Sequence, residues 1–390
     1  MHQFLNKQVE IFYYINLRLS ISIVKLLAEF FYYIPWLVFK SKHKKDFLFL
    51  PYCPKDNVGC IVRFQNYLPF FKNDNFTYDI SYIGTHDELF ELMQNESKKK
   101  VAYKAYRKIL WKRFSWVIKS KNYNCIYLQR SVFPFYPDMK HCFLGRLLFK
   151  LNKNITIDFF DSDYLHNEEL VKSSANYSKN VSVVNKFLQN YFKKINTNVF
   201  IHPIALDKNF YKKKHSYKVE NVTKIVWCGT NGHFKNLRLL DEVFQKLSKK
   251  FNFKLVVISH EDFEVKNVNV ENVKFELEQF TDILYNCDIA VFPQHINDSA
   301  KGGMGHKALE YSATGLPTVS SSVGLSPFYE DKEDLLIANN KDEWYDHLSN
   351  LIQNEKLRKH LGENIYQKFI KYHSLEKSYN NLKKILEITS

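Results

Sequence analysis

The sequence predicts an α/β protein made of two doubly wound domains, and three observations support this prediction. The chain has 390 residues, which is enough for two domains of ordinary size with a core each. Hydrophobic residues make up 45% of the chain, as is typical of globular proteins. Short apolar segments alternate with helical ones in both halves, which indicates parallel sheets covered by helices on both faces.

The predicted strands are short and mostly apolar, as buried parallel strands are. In the first half they are 47–50, 78–83, 125–128, 155–159, 181–184 and 199–201. In the second half they are 225–228, 255–258, 273–276, 289–292, 318–320 and 335–338. Three further helices are predicted to close the chain, at 344–353, 356–372 and 375–386. Segment 207–221 is polar and has no apolar periodicity, so it is predicted to link the two domains.

The basic surplus of the chain is concentrated near its start. Residues 1–150 hold 24 Lys and Arg against 11 Asp and Glu, whereas the remaining residues hold 32 against 30. Such asymmetry predicts an anionic partner for the first half. Phospholipid headgroups and an acidic substrate both fit, and nucleic acid is the rival partner.

An apolar, aromatic run lies at Ile21–Phe39 and is interrupted by Lys25, Glu29 and Pro35. With charges inside it and a marginal length, the run favours an interfacial or packed helix over a membrane-spanning one. A basic cluster follows that suits an anionic cytoplasmic leaflet: Lys40, Lys42, Lys44 and Lys45. Residues 1–45 are therefore predicted to be an extension associated with a membrane surface.

A second candidate for membrane contact is a basic amphipathic helix predicted at Lys98–Lys121. Its apolar side chains recur at three- and four-residue steps, and Lys and Arg occupy its other faces. The pattern fits packing on a sheet, contact with a membrane, or both on different faces.

The cysteines and the N-terminal residues indicate the cellular compartment in which the protein is expected. The six cysteines match no metal-binding or redox spacing, which predicts free thiols in a reducing environment. The sequence shows no signal-peptide pattern, so a cytoplasmic location is expected.

The most informative segment is 301–324, where a glycine-rich entry precedes a predicted helix and strand. Glycines let backbone amides approach a ligand closely, and a helix amino terminus favours an anion. Lys307 and Glu310 are three residues apart and so share one helical face, with a cation suited to phosphate and a carboxylate suited to sugar hydroxyls. The spacing points to a nucleotide sugar. The other residues predicted to contribute here are Lys301 and Gly303.

This segment resembles the donor-binding motif of the GT-B glycosyltransferases, in particular the large retaining family 4. The resemblance is carried by Lys307, Glu310 and Ala313–Pro317. It implies two Rossmann-like domains facing across a cleft, with the donor held by the C-terminal domain. Members of the family usually have a second glutamate eight residues earlier, where this chain has Gly302; Lys301–Gly303 resembles the basic, glycine-rich stretch of many bacterial relatives.

A second loop is predicted to contact the donor. It begins at Gly229, directly after a predicted strand, and resembles the glycine-then-lysine loop of the same family. Thr230 and nearby backbone amides could hold a phosphate, and Lys235 could neutralise its charge. The loop that contains His295 is expected to approach the sugar or its diphosphate, and no catalytic role is assigned to that histidine.

Catalytic candidates lie in the first half. Arg130 ends a predicted strand, and Asp161 and Asp163 follow another in a segment that resembles the strand-end aspartates of bacterial relatives. Either aspartate could orient or deprotonate the acceptor hydroxyl, and Arg130 could meet an anionic acceptor or the donor phosphate. Helix capping and turn formation explain such aspartates equally well.

Together these patterns and the resemblance to the GT-B glycosyltransferases predict an enzyme that moves a sugar from a nucleotide sugar to a lipid-linked or saccharide acceptor in surface-polysaccharide synthesis. Lysines and a helix terminus can meet the charge of the leaving diphosphate, so no metal or other cofactor is expected. Nucleic acid is not expected as a partner of such an enzyme. A non-catalytic GT-B scaffold and a basic nucleic-acid-binding protein are the alternatives. A dinucleotide-dependent dehydrogenase is disfavoured because Cys53–Asn66 lacks G-x-G-x-x-G. The predicted domain limits are 1–45, 46–206, 207–221, 222–375 and 376–390, with the last helix returning to the N-terminal domain as the resemblance implies.

Overall fold

A computed structural model describes residues 2–38, 44–52, 54–84, 99–133 and 143–387. The chain divides into two units by internal contacts. The N-terminal unit comprises Met1–Val183, Leu188–His202 and Asn381–Ser390, and the C-terminal unit comprises Val184–Phe187 and Pro203–Asn380.

The N-terminal unit is built on a parallel sheet that has six strands within the described residues, in the order β2-β1-β3-β4-β5-β6. The three strands at Tyr123–Gln129, Ile155–Phe159 and Asn180–Val183 are almost entirely buried, as expected when helices cover both faces of a sheet. The strands are β1 Lys45–Leu50, β2 Tyr78–Ile80, β3 Tyr123–Gln129, β4 Ile155–Phe159, β5 Asn180–Val183 and β6 Val199–Ile201.

Helices of this half connect the strands and cover the sheet. They are α1 His2–Tyr33, α2 Val58–Arg63, α3 Leu68–Asn73, α4 Lys99–Lys119, α5 Phe143–Leu151, α6 Tyr164–Tyr177 and α7 Lys186–Phe192. Helix α4 buries Ile109, Leu110 and Val117, so the apolar side of the predicted basic helix is packed against the unit.

The C-terminal unit repeats this plan with strands in the order β12-β11-β10-β7-β8-β9, again counting described residues only. Its apolar core lies between this sheet and the helices on both of its faces. The strands are β7 Thr223–Cys228, β8 Phe253–Ser259, β9 Val270–Lys274, β10 Ile289–Phe292, β11 Thr318–Ser320 and β12 Leu336–Ile337. The helices are α8 Phe234–Leu237, α9 Asp241–Ser248, α10 Leu277–Tyr285, α11 Asp298–Gly302, α12 His306–Thr314, α13 Lys341–Gln353, α14 Glu355–Tyr372 and α15 Leu375–Ile385.

The N-terminal helix is longer than its apolar run suggested. Helix α1 begins at His2, about twenty residues before the predicted run, and ends at Tyr33, ahead of Pro35. Polar residues in its first half lie between apolar ones at helical spacing, so the segment folds as one amphipathic helix. The part Gln8–Tyr33 is long and apolar enough to cross a membrane, judged by length and composition alone. The core helix of a soluble protein or a signal sequence can have the same length and composition.

The predicted linker 207–221 is packed onto the C-terminal unit. Lys214 Nζ donates to the carbonyl oxygens of Tyr285 and Cys287, at 3.0 and 2.7 Å. Tyr217 is buried, and its carbonyl oxygen accepts two hydrogen bonds from Arg358. The segment therefore has a fixed path although its sequence is polar.

The end of α15 packs on the N-terminal unit, to which residues from Asn381 onward belong. Asn180 Nδ2 donates to the carbonyl oxygen of Ile385 at 2.7 Å, and Asn381 Nδ2 donates to that of Ile201 at 3.0 Å. These bonds join the last turns of the helix to strands β5 and β6.

Four of the six cysteines are described, namely Cys60, Cys125, Cys228 and Cys287, and these are buried thiols outside any disulfide. Burial raises the pKa of Cys125, Cys228 and Cys287 to about 12, which keeps them protonated and unreactive at neutral pH. Cys53 and Cys142 lie outside the described residues, as do Lys40 and Lys42 of the predicted basic cluster.

Candidate functional site

The strand order of the C-terminal unit places a ligand site between β7 and β10. From β7 the chain continues to β8 on one side, whereas β10 and β11 lie on the other, so the order reverses between β7 and β10. Ligands of open parallel sheets bind at such a switch point, at the carboxyl ends of the strands. Both segments predicted to contact the donor, 229–236 after β7 and 292–301 at the end of β10, begin there.

The loop after β7 turns tightly at Gly229. A Cβ on this residue would lie 2.6 Å from a ring carbon of Trp227, so the position has room for glycine alone. Thr230 Oγ1 lies 3.0 Å from His233 Nδ1, which holds the turn that leads into α8. Lys235 is exposed and therefore available to an anion.

The loop after β10 is joined to its neighbours by side chains. Asn236 Nδ2 donates to Gln294 Oε1 at 3.1 Å, and the backbone amide of Gln294 donates to Ser321 Oγ at 2.9 Å. Residues that follow β7, β10 and β11 are therefore held together at one edge of the sheet.

Helix α12 begins immediately after Gly305. The amide of Gly305 donates to the carbonyl oxygen of Gly324 at 2.6 Å, and a Cβ there would lie 2.2 Å from a ring carbon of Phe292. Just before it, Asn185 Nδ2 donates to the carbonyl oxygens of Lys301 and Gly303, each at 2.9 Å. The glycine-rich entry is thus fixed in position by close backbone packing.

Lys307 and Glu310 lie side by side on the first turns of α12. Lys307 Nζ is 3.3 Å from Glu310 Oε2, and His306 Nδ1 is 3.4 Å from Glu310 Oε1. Tyr211 donates its hydroxyl to the same Oε1 at 3.4 Å. Burial lowers the pKa of His306, so Lys307 is the cation beside the carboxylate at neutral pH. Glu310 is almost fully buried and oriented by three partners, while the Lys307 side chain remains about one-third exposed.

In the N-terminal unit the corresponding switch point lies between β1 and β3, and Arg130 stands at the carboxyl end of β3. Its φ of 55° is in the left-handed region, which is uncommon for a residue with a side chain. The guanidinium carbon lies 4.2 Å from the centre of the Phe160 ring and 5.3 Å from that of Tyr52. The backbone turn and the two rings direct the cation to this edge of the sheet.

Arg130 brings the two predicted aspartates together. Its guanidinium pairs with Asp161, and Nε lies 3.3 Å from Asp163 Oδ1. The Asp161 side chain is half-exposed, whereas that of Asp163 is 1% exposed. Burial raises the pKa of Asp163 to about 7, although Arg130 opposes the shift.

Helix capping does not explain Asp163. The residue precedes α6, but its side chain makes no capping hydrogen bond. A buried carboxylate that titrates near neutrality is suited to accept a proton from a hydroxyl group, while half-exposed Asp161 is accessible to a ligand.

Sequence reasoning missed several residues that complete these sites. His306 could have been found, because it lies four residues before Glu310 on the same helical face. Tyr211 lies in the predicted linker, 99 residues from Glu310, and no local pattern connects them. Beneath the N-terminal site, buried Arg63 forms a bidentate pair with Asp158, at 3.0 and 2.6 Å.

Comparison by sequence identifies the C-terminal unit. Residues 222–354 match the family model of the glycosyl transferases group 1. This segment is therefore similar to the group 1 glycosyltransferases. An uncharacterized glycosyltransferase of Methanocaldococcus jannaschii is 32% identical over 149 residues, a match that covers 35% of this chain and 40% of the relative. The chain therefore spans less than half of that relative, and both matches support the prediction that it is a glycosyltransferase.

Comparison by structure identifies the fold. A glycosyltransferase from Rickettsia africae superposes with a TM-score of 0.62 at 15% identity, covering 90% of this chain and 100% of that one. Anabaena HepE, solved in complex with UDP-glucose, superposes with a TM-score of 0.61 at 12% identity, covering 88% and 100%. The fold is GT-B, as predicted, and at these identities the likeness concerns the fold alone.

Proposed function

We propose that the protein transfers a sugar from a nucleotide-sugar donor to a lipid-linked or saccharide acceptor. The observation that carries the proposal is the pairing of Lys307 with Glu310 on the first turns of α12, at the switch point of a domain similar to the group 1 glycosyltransferases. A cation beside an oriented carboxylate suits a ligand that joins a phosphate to sugar hydroxyls. The UDP-glucose complex of HepE, a protein of the same fold, is consistent with such a donor.

The donor diphosphate is proposed to lie against the amino terminus of α12. Backbone amides there, Lys307 and the Lys235 loop would meet the charge that develops on the leaving diphosphate. No metal ion is needed in this scheme, and the donor is a substrate, so no cofactor is proposed. Within the described residues, no three His, Cys, Asp or Glu side chains form a group suited to a metal ion.

The acceptor is proposed to meet the Arg130 cluster of the N-terminal unit. Asp163 would take the proton of the attacking hydroxyl, since its pKa of about 7 matches neutral operating conditions. Half-exposed Asp161 would orient that hydroxyl, and Arg130 would contact an anionic acceptor or the donor phosphate. The resemblance to family 4 favours retention of the anomeric configuration.

The basic N-terminal unit favours work at the inner face of a bacterial cytoplasmic membrane, in synthesis of a surface polysaccharide such as lipopolysaccharide or capsule. Its charge surplus suits a lipid-linked acceptor and an anionic leaflet. Nucleic acid is not proposed as a partner.

A screen of nucleotide sugars for thermal stabilisation tests the donor. A ligand held at a hundred times its Kd stabilises the native state by about 2.7 kcal/mol, or roughly 5 to 10 °C for a domain of this size. Lys307→Ala should reduce this stabilisation to about 0.4 to 1.4 kcal/mol, as expected if the ligand binds 10 to 100 times more weakly. Lys368→Ala is the matched control, because Lys368 is also partly buried and ion-paired, but its partner is Glu330, at 2.7 Å, and not Glu310. Absence of any shift across uridine, guanosine, adenosine, cytidine and thymidine donors would reject the proposal.

A further inference from the structure

The outward side of helix α1 carries a continuous apolar stripe. Its other side packs on α4 and α5 and buries Leu17, Val24 and Ala28. With 3.6 residues per turn, the stripe residues fall within an arc of about 80° and extend over about 30 Å. The stripe, with each side chain between 47% and 71% exposed, consists of Phe12, Ile15, Leu19, Ile23, Leu26, Phe30 and Tyr33.

Soluble proteins rarely leave a contiguous row of seven apolar side chains in water. Single exposed apolar residues are ordinary, but a contiguous row marks a surface that something covers. Trp36 and Leu37, in the turn after α1, are 72% and 57% exposed and lie just beyond the carboxyl end of the stripe. Aromatic residues at the end of an apolar helix are typical of the membrane interface.

A group of cations lies beside the last turns of α1. Arg146 Nη1 is 3.2 Å from Glu29 Oε1, which places the guanidinium one turn before Tyr33. Arg146 and Lys150 lie over the Tyr32 ring, 4.8 and 5.4 Å from its centre. They border a cavity of about 80 Å³ lined by Tyr32, Arg146, Phe149, Lys150, Lys153 and Tyr177.

The cation cluster, defined as Arg146, Lys150 and Lys153, favours a lipid surface over the other occupants of an apolar face. Parallel pairing of two stripes would bring the same cations of two copies together, whereas anionic lipid headgroups would meet them with opposite charge. A spanning helix would have to leave the unit. Arg107 Nε instead donates to Ser20 Oγ at 3.2 Å, and Arg146 pairs with Glu29, so α1 is held on the unit by polar contacts.

We propose that α1 docks the N-terminal unit on an anionic bilayer. The stripe enters the boundary between headgroups and acyl chains, and the cation cluster binds lipid phosphates beside it. The proposal rests on the membrane location given above and is independent of the donor chemistry. It assigns the contact to the outward face of α1, whereas the apolar side of α4 is packed inside the unit.

Vesicle flotation of the full-length protein tests the stripe. The protein should bind vesicles of phosphatidylglycerol and phosphatidylethanolamine, and binding to pure phosphatidylcholine should be much weaker. Leu19→Glu combined with Leu26→Glu should lower the vesicle partition coefficient at least about tenfold. Leu277→Glu is the matched control, since Leu277 in the C-terminal unit is 54% exposed and Leu19 is 55% exposed.

The cation cluster is tested separately. Arg146→Gln combined with Lys150→Gln should weaken binding to the anionic vesicles roughly tenfold to thirtyfold and leave residual binding to phosphatidylcholine unchanged. Both positions are exposed, and a surface ion pair such as Arg146–Glu29 contributes at most about 1 kcal/mol, so the melting temperature of the variant should stay close to that of the wild type. Stabilisation by inorganic phosphate without vesicle binding would assign the cluster to a free anion and overturn the proposal.

Three outcomes would overturn the assignment of the stripe. The first is that the Leu19→Glu/Leu26→Glu variant binds vesicles as well as the wild type does. The second is that the wild type is a dimer without lipid and this variant is a monomer, which would assign the stripe to a second copy of the chain. The third is that alkaline carbonate does not release the vesicle-bound protein, which would indicate a membrane-spanning helix. The thermal shift with nucleotide sugar should be the same in every α1 and α5 variant. A failure of membrane docking is therefore distinguishable from a failure of the proposed donor site.

Discussion

Replacing Asp163 with asparagine should change how the stability of the protein depends on pH. The carboxylate is buried beside Arg130, and burial raises its pKa from 3.8 to about 7. Asparagine has nearly the same shape and cannot ionise, so the substitution removes the titration with little change in packing.

Proton linkage determines the sign and the size of the change in the free energy of unfolding with pH. Between pH 3.8 and about 7 the folded protein binds this proton more tightly than the unfolded chain does, so the free energy of unfolding falls as pH rises. At 1.36 kcal/mol per pH unit, the whole interval corresponds to about 4 kcal/mol. The part of it between pH 5 and neutrality corresponds to about 2 to 3 kcal/mol. Asp163→Asn should therefore gain that much stability relative to the wild type between pH 5 and pH 8.

Urea unfolding at pH 5 and pH 8 measures this difference. Asp342→Asn is the control, because its side chain is 91% exposed and water surrounds the carboxylate in the folded and unfolded states alike. If the stability of Asp163→Asn relative to the wild type is the same at both pH values, the carboxylate is not held in the environment described here. The argument for Asp163 as a proton acceptor would then fail.

Three other perturbations have definite expected outcomes. Gly305→Ala should lower the free energy of unfolding in urea by about 1 to 3 kcal/mol, because its Cβ would lie 2.2 Å from Phe292. Gly232→Ala is the control and should change stability by less than about 0.5 kcal/mol, because its Cβ would meet its nearest atom at 3.9 Å. Equal effects of the two substitutions would contradict the close packing at Gly305. Arg63→Met should lower the free energy of unfolding by about 3 to 5 kcal/mol in the same assay, because it leaves the Asp158 carboxylate buried and unpaired. Unchanged stability in this variant would show that solvent reaches the Asp158 carboxylate. Excess EDTA should leave sugar transfer unchanged, and recovery of lost activity by Mg²⁺ or Mn²⁺ would contradict the metal-independent scheme.

The sequence was most informative where strands are buried and helices have an apolar side. Strand β4 was predicted with the limits that the structure has, because apolar residues stand at its first, third and fifth positions and all five residues are buried. Strand β9 was predicted at 273–276 and is found at Val270–Lys274. It lies at the edge of its sheet and is largely exposed, so no apolar run marks where it begins.

The candidate site was predictable only in its local parts. Lys307 and Glu310 are three residues apart, and helical geometry brings them together whatever the rest of the chain does. Tyr211 and Asn185 reach the same site from distant segments, and only the tertiary fold determines those contacts. Asp161 and Asp163 were recognised as candidates, but their connection to Arg130 depends on the adjacency of β3 and β4.

Isothermal titration calorimetry with the stabilising nucleotide sugar tests the central claim most directly, namely that Lys307 and Glu310 form the donor site. The wild type and Lys368→Ala should bind alike, and Lys307→Ala should bind about 10 to 100 times more weakly, since it loses a charge-assisted contact worth about 1.5 to 3 kcal/mol. Wild-type affinity in Lys307→Ala would contradict the account.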